Sequence, residues 1–148
     1  MNIFVLDRDP VRAAQAHYDK HVVKMCLEYA QILSTVSGRG YKPTHRNHPC
    51  VKWAQQSPTN YAWLHSLATA LGCEYTARYG RVHASSLLLI ELPEPALWPA
   101  PEPTWFALAM PDEFKDDDPV QAYRNYYLKG KRGIASYRAP AVPPSWFH

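Results

Sequence analysis

Cysteine is scarce and unpatterned: Cys26, Cys50 and Cys73 are odd in number and lack C-x-x-C spacing, so neither a disulfide framework nor a zinc knuckle is expected. The thiols read as reduced core filler. Glycine is also sparse, 6 of 148 residues, with no glycine-rich phosphate loop, no Rossmann fingerprint and no G-x-S-x-G elbow, and the nucleotide-fold and serine-hydrolase classes drop out. No apolar run approaches the roughly 18 to 20 residues that cross a bilayer. The start, Met1 to Asp7, lacks the basic region, apolar stretch and cleavage site of an export signal, so a cytoplasmic protein without membrane contact is expected. With 47% hydrophobic, 13% aromatic and only 20% charged residues, the chain can close one core. A single domain over residues 1–148 follows, without internal repeats.

Acidic residues are missing from whole stretches. Residues 1–90 hold ten Lys/Arg against five Asp/Glu, residues 91–118 one against eight, and residues 119–148 five against none. A basic front and tail flank an acidic, proline-rich insert, which favours a polyanionic partner weakly at a pI of about 8.8.

Helix starts are legible where a capping residue precedes proline: Asp9-Pro10, Ser57-Pro58 and Asp118-Pro119. From Val11, the positions Val11, Ala14, Tyr18, Val22, Met25, Tyr29, Ile32 and Val36 alternate spacings of three and four, which predicts one continuous helix ending near Ser37-Gly38. Further helices are expected over Val51–Gln56, Pro58–Tyr79, Arg81–Leu92 and Pro119–Lys131. Prolines forbid regular helix over 93–118, where Trp98, Trp105, Phe106 and Met110 are expected to pin an extended crossing to the body. The tail from Pro140 to Phe147 should lie extended with its aromatics docked. The fold class is all-α, with four to five helices and an irregular proline-rich crossing.

A second stripe, His17, His21, Lys24, Glu28 and Gln31, lies about 100° round from the apolar one. It is either a solvated flank or one wall of a site. On the helix from Pro58, Asn60, Glu74 and Arg78 fall near one side, with Glu74 and Arg78 at i,i+4 spacing. Antiparallel packing of the two helices would join these polar flanks into a groove. The loop Thr44-His45-Arg46-Asn47-His48-Pro49 places two imidazoles, a guanidinium and an amide in four positions, able to bind phosphate or move a proton. His83 could reach the same region or be structural. Arg124, Lys129, Lys131 and Arg132 mix with tyrosines in the last helix, where packing suits Tyr123 and Tyr127 and phosphate contact suits the cations. A metal site is not expected: His17 and His21 have i,i+4 spacing, but Tyr18-Asp19-Lys20 is not the E-x-x of a zinc helix, and Lys20 and Lys24 repel a cation. No cofactor is called for.

The strings His17-Tyr18-Asp19-Lys20-His21-Val22-Val23-Lys24-Met25, Thr44-His45-Arg46-Asn47-His48-Pro49 with Trp53, and Ala122-Tyr123-Arg124-Asn125-Tyr126-Tyr127 resemble a family of small phage-borne proteins. Their organisation is similar to that of pyrimidine-dimer DNA glycosylases of the phage endonuclease V type: small, all-α, with an early helical histidine, a basic groove and an aromatic tail. The resemblance implies an enzyme that extrudes a nucleotide and cleaves its N-glycosidic bond, with His17 at the place of the early histidine. It also implies attack by an N-terminal amine exposed by methionine removal. Asn2 is large enough that Met1 is expected to be retained here. The position after the histidine where the catalytic glutamate belongs is Lys24, so Glu28 or Glu74 would substitute.

On that reading Lys20, Arg46 and Arg78 hold phosphate, aided by Asn60, His83, Arg124, Lys129, Lys131 and Arg132. Glu28 or Glu74 orients water or stabilises charge on the sugar, and His17, His21, His45 or His48 protonates the leaving group. Lys24 forms a Schiff base if a lyase step occurs. Two other classes stay open: an enzyme acting on a free nucleotide or modified base, and a noncatalytic accessory protein whose basic face binds DNA or a partner. Oligomeric state is not readable.

Overall fold

Four helices begin where a side chain caps the backbone immediately before proline. Asp9 accepts from Val11 N–H, His48 from Cys50 N–H, Ser57 from Asn60 N–H and Asp118 from Val120 N–H, at 2.9 to 3.1 Å. The computed structural model describes residues 1–93 and 102–148. Among these it holds α1 (Pro10–Gln15), α2 (Asp19–Ser37), α3 (Pro49–Gln56), α4 (Pro58–Tyr79), α5 (Ala84–Glu91) and α6 (Pro119–Asn125). No strand occurs among the described residues, and the fold is all-α. α2 and α4 end on Gly38 and Gly80 at φ of 74° and 72°, the left-handed cap that glycine adopts without strain. α4 packs against α1, α2, α3 and α5, and Leu64, Leu67 and Leu71 are fully buried at its centre.

The single helix expected from Pro10 to Ser37 is two. Arg78 on α4 donates to the carbonyls of Gln15 at 3.0 Å and His17 at 2.8 Å, the acceptors that a continuous helix would pair with the amides of Asp19 and His21. Those amides go instead to Ser136 O and Tyr18 O, both at 2.9 Å. The apolar period runs unbroken through the interruption, because Tyr18 is buried on either side of the choice. The last helix also changes winding. α6 stops at Asn125 and Tyr126–Gly130 forms a π-helical turn, where the Tyr18 hydroxyl donates to Tyr127 O at 2.8 Å and draws that carbonyl out of register.

Of the proline-rich crossing, Trp98, Pro95, Pro99 and Pro101 lie outside the described residues. Residues 102–111 have no regular structure. Phe106 is buried between Trp53 and Trp63, each ring centre 4.9 Å away, and Met110 is buried in the same core. Trp105 is 64% exposed and pins nothing, since its neighbour Phe106 occupies the slot. In the tail, Arg124 lies over the Trp146 ring and Phe147 packs edge-on to Tyr18 and Tyr137. No helix among the described residues is long and apolar enough to cross a membrane.

Candidate active site

Residues Ile3 to Leu6 are at most 4% exposed, so the first residues of the chain form an apolar plug in the helical core. Phe4 stacks on His21 with ring centres 4.3 Å apart. The plug carries the Met1 amine to Glu28 on α2, at 3.2 Å from its Oε1. Met1 hides its side chain, 2% exposed, while the residue as a whole is half-buried. The exposed part of Met1 is therefore its backbone.

His48, the N-cap of α3, lies within electrostatic reach of Glu28 and the amine. Its Nδ1 caps Cys50 N–H at 3.0 Å, which requires an unprotonated nitrogen. Burial lowers its pKa, the charges of the Met1 amine and His45 lower it further, and Glu28 opposes them. His45 is exposed and holds a left-handed φ of 52°, with its Nδ1 at 2.7 Å from Thr44 Oγ1. Arg46 beside it is exposed. The amine and its carboxylate thus lie within electrostatic reach of a half-buried imidazole, and no Asp or Glu occurs between Glu28 and Glu74 in the sequence to compete for a polyanion.

The two histidines of the polar stripe face inward. His17 is fully buried: Nδ1 donates to Ala13 O at 2.6 Å, and Nε2 accepts from the Tyr29 hydroxyl at 2.7 Å, which in turn accepts from Phe4 N–H. His21 is buried as well, with Nδ1 at 2.6 Å from the Tyr127 hydroxyl. Burial pushes the pKa of His17 down to about 4 and that of His21 to about 3; Arg78 depresses the first, and His17, Lys131 and Lys24 the second. Both are neutral hubs under the plug. The expected groove between α2 and α4 flanks is therefore not what these side chains form.

Arg78 and Glu74 make a separate centre. The Arg78 side chain is fully buried and donates to Glu74, Asp19, His17 O and Gln15 O. Asp19 also accepts from Ser136 and from Arg138 N–H, so this ion cluster staples the tail to the helix break. Asn60, fully buried, donates to Trp53 O and Thr104. His83 caps α5 through Ser85 N–H. Arg124 donates to Leu6 O and Asp7. Lys20, Lys24, Lys129 and Arg132 are exposed, and Lys131 lies over the Tyr126 ring. Tyr123 and Tyr127 are fully buried. A large apolar cavity of about 1290 Å³ lies between α4 and α5, where Glu74 is the one candidate residue in its lining. No group of three or more metal-ligating side chains occurs among the described residues.

A family profile described as pyrimidine dimer DNA glycosylase matches residues 1–86. The chain belongs to this glycosylase family. Neither the curated proteins nor the solved structures compared with it give a match. The matched region of the glycosylase carries Met1, Glu28, His45 and His48 together. Because α2 begins at Asp19, the histidine in its first turn is His21, and Glu28, seven residues on, shares its helix face. Lys24, paired with His17 on the sequence reading, lies outside that pair. The amine has no side-chain signature in a sequence.

Proposed function

We propose that the protein cleaves the glycosidic bond of a pyrimidine dimer in duplex DNA with the Met1 amine as nucleophile and Glu28 as its proton acceptor. The observation that carries this reading is the 3.2 Å pair between the amine and the partly exposed Glu28. Glu28 is placed to take a proton from the amine and leave a lone pair for attack on the sugar C1′. The C1′–N bond breaks with its electron pair going to the pyrimidine nitrogen, a C1′–N bond to Met1 forms, and the proton shed by the newly bonded nitrogen neutralises the departing pyrimidine. The proton returned by Glu28 to the ring oxygen opens the sugar and leaves an imine. His48, neutral and capping α3, lines the approach with His45. Exposed Lys20, Lys24, Arg46, Lys129 and Arg132 contact the DNA backbone, each neutralised phosphate adding a salt-dependent increment to affinity.

The experiment is incubation with a duplex bearing one cyclobutane pyrimidine dimer in the presence of borohydride, which reduces an imine to a stable amine. A covalent protein–DNA species should form on the damaged duplex and not on its undamaged control. An abasic sugar formed without any trapped species would replace the amine by water as nucleophile. Neither glycosidic cleavage nor trapping would remove the reading.

A further inference from the structure

The amine can react with a fixed point on DNA only if residue 1 is held, and the structure holds it through residue 2. The Asn2 amide Nδ2 donates to Ala109 O at 2.8 Å. Its Oδ1 accepts from Ile3 N–H at 2.8 Å and lies 3.2 Å from the Tyr123 hydroxyl and 3.5 Å from Cys50 Sγ. The Tyr123 hydroxyl, 2.5 Å from Ala107 O, also receives Ala109 N–H at 3.3 Å. Four elements meet at one side chain: the plug, α3, the crossing segment and α6. Met1 adds its own buried side chain.

We propose that Asn2 is a positioning residue, clamped by Tyr123, Cys50 and Ala109, and that it registers the Met1 amine, with the methionine retained, against Glu28. The inference rests on the amine being the nucleophile. Two of the clamp's three partner sites, Ala109 and Tyr123, lie outside the region matched by the family, so the C-terminal third completes the site. Loss of Met1 would move the amine back by one residue, about 3.8 Å along the chain, beyond hydrogen-bond reach of a carboxylate it now touches.

The test uses the full-length protein, with intact mass confirming Met1, and the variants Asn2→Leu and Tyr123→Phe. Leucine keeps the bulk that protects Met1 and removes every bond of the amide. Asn2→Leu should bind the dimer duplex within twofold of the parent Kd but form the trapped complex at least tenfold more slowly in single turnover. Tyr123→Phe should slow trapping three- to tenfold with Kd likewise unchanged. The Met1 amine, freed from Glu28, should undergo reductive methylation at least fivefold faster in Asn2→Leu, read on the N-terminal peptide. Trapping within twofold of the parent in both variants, rate and affinity falling in step, or intact mass showing Met1 removed from the active parent would overturn the clamp. If the parent does not trap DNA at all, the functional reading fails, while the methylation rates still decide whether Asn2 holds the amine.

Discussion

Two carboxylate–cation pairs of nearly equal geometry sit on different helices and have different fates. Glu28 meets the Met1 amine at 3.2 Å and is 15% exposed; Glu74 meets Arg78 at 2.9 Å and is 18% exposed. The difference lies in the cation. Arg78 spends its donors on two carboxylates and two carbonyls, and a guanidinium does not deprotonate in proteins. That pair can only hold structure together. The amine, by contrast, can pass a proton to Glu28. Proximity of opposite charges is common to both, whereas a removable proton belongs to one.

The strongest way to break this contrast is to neutralise each pair in turn. Glu28→Gln should lower single-turnover trapping about 100- to 10,000-fold, the range of a lost proton acceptor, with the thermal midpoint little changed. Arg78→Met should do the reverse. It leaves Asp19 and Glu74 without their buried partner and should cost about 3 to 5 kcal/mol in urea unfolding. Similar losses of stability in both variants would erase the distinction between a reactive pair and a structural one.

Acid unfolding sharpens the structural side, where His17 feels the charge of Arg78. Burial holds the folded pKa values of His17 and His21 near 4 and 3, below the ordinary 6.5. The unfolded chain therefore binds more protons as pH falls below 6.5. Stability should be fully present above pH 6.5 and fall on acidification towards pH 4, by roughly 1 kcal/mol per pH unit for each histidine. Urea midpoints at pH 7.5, 6 and 5 measure the slope, and His17→Gln should flatten it. The smallest effect concerns a free cation set against the consumed one. Arg46→Ala should leave folding unchanged and reduce the salt slope of DNA binding by about 0.9, read from Kd between low and moderate salt. An unchanged slope would take Arg46 off the DNA.

Much of the helical frame was legible because its signals are local. Asp9, Ser57 and Asp118 before proline mark three helix starts, and Gly38 and Gly80 mark two ends, all as expected from the sequence. The break at residues 16–18 was not, since its cause is a guanidinium sixty residues away taking two carbonyls, while the apolar spacing continues undisturbed. The same tertiary effect hid the histidines. A histidine on a polar stripe looks like Lys or Glu in a helical projection, but its ring also packs, and Phe4, Tyr29 and Tyr127 supply partners that only the folded chain brings near. Glu28 stood on the stripe from the start. Its partner is a backbone group, which no residue pattern displays.

The account turns on which nitrogen joins the sugar. Mass-spectrometric peptide mapping of the borohydride-trapped complex with a dimer-bearing duplex locates that bond directly. The account predicts a single adduct on the α-nitrogen of Met1; an adduct on the Lys24 side chain would contradict it.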